Sequence, residues 1–598
     1  MKREIRSSAV VGLAGVGAII DVGEESFVIP GIGLWQQKQL RVIDLPRLGA
    51  RLHRVLKAPR EIDPQLRVNR FPRAMFCEKC RRLVKWKTSM EVEGSAPLCK
   101  EPGCHGKLVP MRFVSVCEQG HLGDADWFRW AHSGPGGNRG CRDRDQLYFV
   151  VDSGASGGGL ASLKVECRNR DCKSSRDLGD ITARERIRHT FGKCSGSHPW
   201  IFGRHDDCAA EVQVLQRGAT NLHYPRTISA LDIPADLSPE AVSEFAAQIQ
   251  AHKRFRKLLD YATGTEGDNE EFLEIYIEAI ARDVGCDEEV IRDLLSRVLA
   301  GENLDGDGNV AETREIDQEM LLGEEWRTIR AALDMGTIRS ANFIAHREEP
   351  ILTGNRALGK LLKGVLLVER LREVRAYLGF HRVTPGDPAE MVRPDVGGEQ
   401  NWLPASEVFG EGIVLELDFD LVSKWASALP AAVTNELAAL EGKRTRENLW
   451  FLPEVDAGFL AMHVLSHLLL RQITFECGYS SSSLRERLYY SGSKRFAGIM
   501  IYTAEGDSEG SLGGLVRQGR SDRLMRTLIE AVDNGRWCSA DPVCFETAGQ
   551  GLGGFNHAAC HACCLVSETS CVASNTLLDR RMLFHAEWGL LAFAEGCE

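Results

Sequence analysis

Phe76-Cys77-Glu78-Lys79-Cys80 opens the stretch that organises this chain, and Cys99-Lys-Glu-Pro-Gly-Cys104 follows after eighteen residues. Between Phe76 and Cys208 lie ten of the 19 cysteines, and a second group sits at Cys538, Cys544, Cys560, Cys563, Cys564 and Cys571. The cysteines come as close pairs separated by longer loops. Tetrahedral zinc requires that arrangement, because two thiolates must leave one tight turn and two more another. Cys77, Cys80, Cys99 and Cys104 therefore predict a zinc ribbon, with Lys100, Gly103 and Gly106 supplying turn chemistry. Cys167 and Cys172 with Cys194 and Cys208 predict a second, looser site. Cys538 and Cys544 with Cys560 and Cys563 predict a third, although the choice among Cys563, Cys564 and Cys571 stays open. Two to four zinc ions per chain are expected.

Cys117, His121, His132 and Cys141 fall between the first two sets. Two thiols and two imidazoles suffice for one Cys₂His₂ site, but their spacing matches no familiar zinc module. The preferred reading makes Trp127 and Trp130 core anchors with the histidines hydrogen-bonded beside them.

With 598 residues the chain is too long for one core and should divide into several domains. The segments expected are 1–70, rich in Gly, Pro and Arg; 71–215, the zinc-ribbon region; 216–400, mainly helical; and 401–598, an α/β domain with a cysteine cluster. The fold class is mixed α+β. A net charge of −11 excludes a broadly basic surface, so any nucleic-acid contact needs a local patch. Lys79, Arg81, Arg82, Lys85 and Lys87 around Trp86 offer one, although a solvated ribbon face is the plainer reading. The apolar run Ala9–Ile20 follows Lys2, Arg3 and Arg6, but Glu4 and three glycines spoil a secretory signal. No run is long enough to span a bilayer. A cytoplasmic protein is expected, in which paired cysteines favour metal over disulfides.

Along the chain, Gly12, Gly15 and Gly17 read as a tight turn into a short strand. Ser238-Pro239-Glu240 reads as a helix start, and 270–300 as two further helices. Asp305 to Asn309 resembles a calcium loop but fails at its sixth and twelfth positions, Val310 and Ile316. Leu358–Tyr377 has a helical pattern, 384–400 that of a linker, and Gly412–Phe419 that of a half-buried strand. Ala457–Gln472 and Ser521–Asp533 read as helices, and Phe496–Thr503 as a buried strand.

Catalytic signatures are weak. No P-loop occurs: Gly192-Lys193 runs into Cys194, and Gly359-Lys360 into Leu361. Gly506-Asp-Ser508-Glu-Gly510 matches a nucleophile elbow, but Gly513 and Gly514 weaken the helix an elbow needs behind its serine. His463 and His467 share a helical face, but Val464 stands where a zinc protease has its catalytic glutamate, so metal binding there is disfavoured. No catalytic residue is assigned.

Several segments together resemble the DrmB family. They are Gly15-Val-Gly-Ala-Ile-Ile-Asp21, Cys117-Glu-Gln-Gly-His121-Leu with Trp127 and His132, and Gln216-Arg-Gly218-Ala. Thr503-Ala-Glu-Gly-Asp507, Gly513-Gly-Leu-Val516, Ala559-Cys-His-Ala-Cys-Cys564 and Glu568-Thr-Ser-Cys571 complete the set. DrmB is a core subunit of the bacterial DISARM anti-phage system, and its C-terminal part is similar to the zinc-binding domain of MrfA-type superfamily 2 helicases. The resemblance implies a zinc-binding, non-catalytic subunit that partners a DrmA-like helicase to bind and help unwind phage DNA. The alternatives are a hydrolase using Ser508, a metal enzyme using His463 and His467, or a scaffold without DNA contact.

Overall fold

The fold is described from a computed structural model. It covers residues 7–597 except 61–65, 93, 153–158, 235–244, 246–247, 251, 263–269, 300–317, 350–354, 386–389, 450, 481 and 504–512. The helix start at Ser238, the acidic loop at Asp305 and the Ser508 segment lie outside the described residues. Among the described residues no helix is long and apolar enough to cross a membrane.

The chain forms two compact units, both discontinuous in sequence. The first comprises residues 1–43, 55–228 and 375–406, and the second 44–54, 229–374 and 407–598.

The first unit is built from small antiparallel sheets of three short strands. Ala74–Cys77 lies between Leu83–Lys85 and Leu108–Pro110. Phe113–Val116 lies between Leu122–Asp124 and Gln213–Gln216. Leu163–Cys167 lies between Leu147–Val151 and Ser175–Asp177. Each central strand ends at a cysteine or one residue before it: Cys77, Cys117 and Cys167. A strand end fixes the cysteine's direction, and the following turn brings the next donor back beside it. Trp130 is fully buried, as expected of a core anchor, and its Nε1 donates to the Asp177 carbonyl. The glycine-rich entry becomes the strand Ile19–Val22. Gly17 has φ +79°, and a Cβ there would meet the Phe380 ring at 2.6 Å.

The second unit has an antiparallel sheet ordered Thr337–Arg339, Ile344–Glu348, Leu362–His381, Trp402–Leu417, Phe496–Thr503, Leu484–Ser491. It contains residues 362–374 and 407–417 of the two long strands. The helix expected over Leu358–Tyr377 is therefore corrected. Helix stops at Leu361, and a strand runs from Leu362. Val365, Leu366, Leu367 and Val368 are buried on both faces. A strand covered on both sides shows no alternation, and its apolar run cannot be told from a buried helix by period. The same effect corrects Gly412–Phe419. Ile413, Val414 and Leu415 are all buried, and Phe419 instead opens a helix whose N-cap, Asp418, accepts the Leu421 N–H.

The helices expected over 270–300 are present at Glu270–Val284 and Glu288–Leu299. Gln318–Met335 is a further helix, and the strand Thr337–Arg339 follows it. Ala457–Cys477 is buried all round from Ala457 to Leu470, so it forms the centre of the core rather than one wall of it. Asp456 caps its start by accepting the Gly458 and Phe459 N–H groups. Leu460, Leu465 and Leu469 pack in one cluster with Leu415, Ile499 and Leu528.

Candidate metal centres

Four cysteine-rich clusters bring four donors each to within 4.8 Å of one another. The first is Cys77, Cys80, Cys99 and Cys104, as expected. Cys77 and Cys104 sulfurs are 3.4 Å apart, and those of Cys80 and Cys99 3.7 Å. Zn–S bonds near 2.3 Å set tetrahedral sulfurs about 3.8 Å apart. Burial pushes Cys80 up to about 12 and Cys99 up to about 11, whereas the Gly106 N–H draws Cys104 down to about 7. Gly106 is required here, because a Cβ would lie 2.6 Å from the Cys77 sulfur.

The second and third clusters correct the sequence reading. Cys167 and Cys172 do not join Cys194 and Cys208. Cys194 and Cys208 converge with Cys117 and His121, whereas Cys167 and Cys172 converge with His132 and Cys141. The pairs are nested: the outer two make one site and the inner two another. Linear spacing carried no information on nesting, because sheet topology decides which strand ends meet. A count of donors carried some. Cys117, His121, His132 and Cys141, set aside as core neighbours, supply the donors that complete two tetrahedra.

Both sites have outer support. Cys117 Sγ is 3.3 Å from His121 Nδ1, and His121 Nε2 is 3.8 Å from the Asp206 carboxylate. The Gly196 N–H donates to Cys194 Sγ. The bond with Cys117 is the largest influence drawing Cys194 down to about 4. His132 Nδ1 donates to the Phe128 carbonyl at 2.7 Å, which leaves Nε2 as a lone pair 3.1 Å from Cys172 Sγ. Such a carbonyl fixes the tautomer a metal ligand needs.

The fourth cluster is Cys538, Cys544, Cys560 and Cys563, as expected, with S···S separations of 3.5, 3.8 and 3.9 Å. Cys564 is left out of it. The bond with Cys564 is the first of several influences drawing Cys563 down to about 5; the Cys560 N–H and the buried Arg580 guanidinium add to it. Arg580 is held by both oxygens of Asp541, at 2.7 and 2.9 Å. All four clusters have the donor chemistry of closed structural zinc sites.

A curated relative is similar over most of its length. It is the DISARM protein DrmB of Bacillus paralicheniformis, 29% identical over 541 residues that span 86% of this chain and 88% of the relative. The chain is homologous to DrmB. A domain of unknown function, DUF8724, matches residues 6–224, which hold the first three clusters. The MrfA Zn-binding domain matches residues 465–564, which hold the fourth.

A further group falls partly outside that match. His463, His467, Glu486 and Cys571 also meet within 4.8 Å, although the helix lacks the protease signature. The basic stretch of the ribbon is changed by the structure. Trp86 is buried and donates to Glu91, so it offers no face for stacking bases. Arg81 donates to the Phe149 carbonyl and Arg82 to that of Asp145, leaving Lys79, Lys85 and Lys87 exposed.

Proposed function

We propose that this chain is the non-catalytic, zinc-stabilised subunit of a DISARM-type defence system. In this reading it works beside a separate superfamily 2 helicase of the DrmA kind to bind and help unwind invading DNA. The observation that carries the proposal is the similarity to DrmB over nearly the whole of both chains. The chemistry of the chain is consistent with it. Gly192-Lys193 leads into a metal-cluster cysteine, and Gly359-Lys360 lies inside the Arg356–Leu361 helix. Neither has the loop that cradles a nucleotide's phosphates. The four cysteine-rich clusters each have a full set of protein donors, whereas catalytic zinc keeps a position open for water or substrate.

The test is co-expression with the neighbouring helicase subunit. The chain alone is expected to hydrolyse no ATP, and DNA binding or unwinding is expected to strengthen when the helicase is added. ATP hydrolysis by the purified chain sinks the proposal. A scaffold without DNA contact predicts no salt-dependent gel shift by the complex beyond that of the helicase alone. A Ser508 hydrolase predicts loss of defence in Ser508→Ala with partner binding intact.

A further inference from the structure

We infer that His463, His467, Glu486 and Cys571 bind a zinc ion in a closed site separate from the four cysteine-rich clusters. The two histidines lie one turn apart on the Ala457–Cys477 helix, Glu486 lies on the strand Leu484–Ser491, and Cys571 follows the short turn Glu568–Ser570.

The first argument is a count of protons. His463 Nδ1 lies 3.1 Å from the Leu577 carbonyl, and His467 Nδ1 lies 2.9 Å from the Cys564 carbonyl. A carbonyl only accepts, so each Nδ1 carries the hydrogen, and each neutral ring presents a bare lone pair at Nε2. His463 Nε2 faces Cys571 Sγ at 3.1 Å and Glu486 Oε1 at 3.2 Å, and His467 Nε2 faces the same oxygen at 3.4 Å. Backbone groups already donate to the other two ligands. Cys571 Sγ accepts the Ala573 and Asn575 N–H groups, and Glu486 Oε1 accepts that of Val572. Four lone-pair-bearing groups therefore converge, with the Cys571 thiol hydrogen the one proton among them. His467 Nε2 and Glu486 Oε2 have no hydrogen-bond partner. A cation at the centre satisfies the convergent lone pairs together.

The second argument is charge. A carboxylate, a thiolate and two neutral imidazoles around Zn²⁺ sum to zero, whereas four thiolates leave an excess of two negative charges. Both histidine side chains and that of Glu486 are 0% exposed. A neutral complex suits that depth, where an isolated charge is strongly penalised. The third argument is size. Zn–N, Zn–O and Zn–S bonds of about 2.0–2.3 Å put ligand atoms about 3.3–3.8 Å apart, close to the separations observed.

The four donors leave no open position, and the burial of the histidines and glutamate closes access. The site is therefore a structural clamp rather than a catalytic centre. It ties the middle of the core helix to a sheet strand and to the C-terminal loop. That loop also carries Cys560 and Cys563, and His467 holds the carbonyl of Cys564 just beyond them. His463 and Cys571 lie on either side of residues 465–564, so the clamp is not contained in the zinc-binding domain match.

Zinc-edge anomalous diffraction from crystals of the full chain tests this directly. A peak is expected among the four donors. Its absence, with a peak present at the Cys538 cluster in the same crystal, overturns the inference. In solution, Cys571→Ala is expected to purify with one zinc fewer than the parent, and an unchanged zinc content also overturns it. Should that variant fail to fold, the anomalous map of the parent chain decides.

Discussion

The two units use metal against different backgrounds. In the first, three clusters sit at the ends of strands three to five residues long, and the cysteines themselves help to form the small cores. In the second, a helix buried on all sides is packed within a large apolar cluster, and the Cys538 site lies within that same cluster. Small sheets bury too little apolar surface to fold unaided, so metal binding there is folding. In the second unit the apolar core supplies much of the stability, and the metal pins loops onto it.

The largest test of this contrast is chelation. Structural zinc is worth about 10–16 kcal/mol of apparent binding energy, which should be lost mainly as fold in the first unit. Under a strong chelator, amides of Ala74–Cys77, Leu147–Val151 and Leu163–Cys167 should exchange fully. Those of Phe496–Thr503 and the central turns of Ala457–Cys477 should stay protected in hydrogen exchange. Simultaneous exchange of both sets would dissolve the distinction.

Both units bury arginine, by different means. Arg487, in the second, donates to both Glu325 oxygens at 2.6 and 2.8 Å. Arg382, in the first, is fully buried and donates to the carbonyls of Gly17, Gly120 and Leu222. Burial pulls its guanidinium down to about 9. Arg487→Met leaves the buried Glu325 carboxylate with only Arg47, at 3.5 Å, as a cationic partner and should cost about 3–5 kcal/mol. Arg382→Met leaves only neutral carbonyls and should cost less, about 1–3 kcal/mol. Denaturant unfolding of both variants measures the order, and a larger loss for Arg382→Met would reverse the argument.

The smallest effect, taken per pH unit, concerns protonation. Burial first, and then the Arg382 charge, push His223 down to about 3. Its Nε2 is 3.2 Å from the Val16 carbonyl and 3.0 Å from the Tyr377 hydroxyl. The folded value lies below the unfolded one of about 6.5, so the unfolded chain takes up this proton first. Stability present above that pH should fall by about 1.4 kcal/mol per unit as pH drops toward 3. His223→Gln should flatten the acid limb of the first unit by that slope. An equal slope in both proteins counts against it.

Much of the site was legible from spacing alone. Cys77, Cys80, Cys99 and Cys104, and likewise Cys538, Cys544, Cys560 and Cys563, each close within one local stretch, so pair spacing is enough to group them. The nested sites were not legible in that way, because a pair's partner lies across a sheet whose register the spacing does not encode. Glu486 carried no sequence signal, since a single acidic residue on a strand acquires donors only when a helix is laid over it.

What the sequence by itself determined is the local chemistry: which residues carry thiolates, where turns return a second donor, that the known phosphate-loop pattern is missing, and the segments similar to DrmB. Tertiary structure decided which pairs share a metal, that Leu362–His381 is strand, and that His463 and His467 find a carboxylate and a thiol. The reason is physical. Zinc ligation and burial are properties of points in space, and residues such as His463 and Cys571 become neighbours only through the packing of elements far apart in the chain.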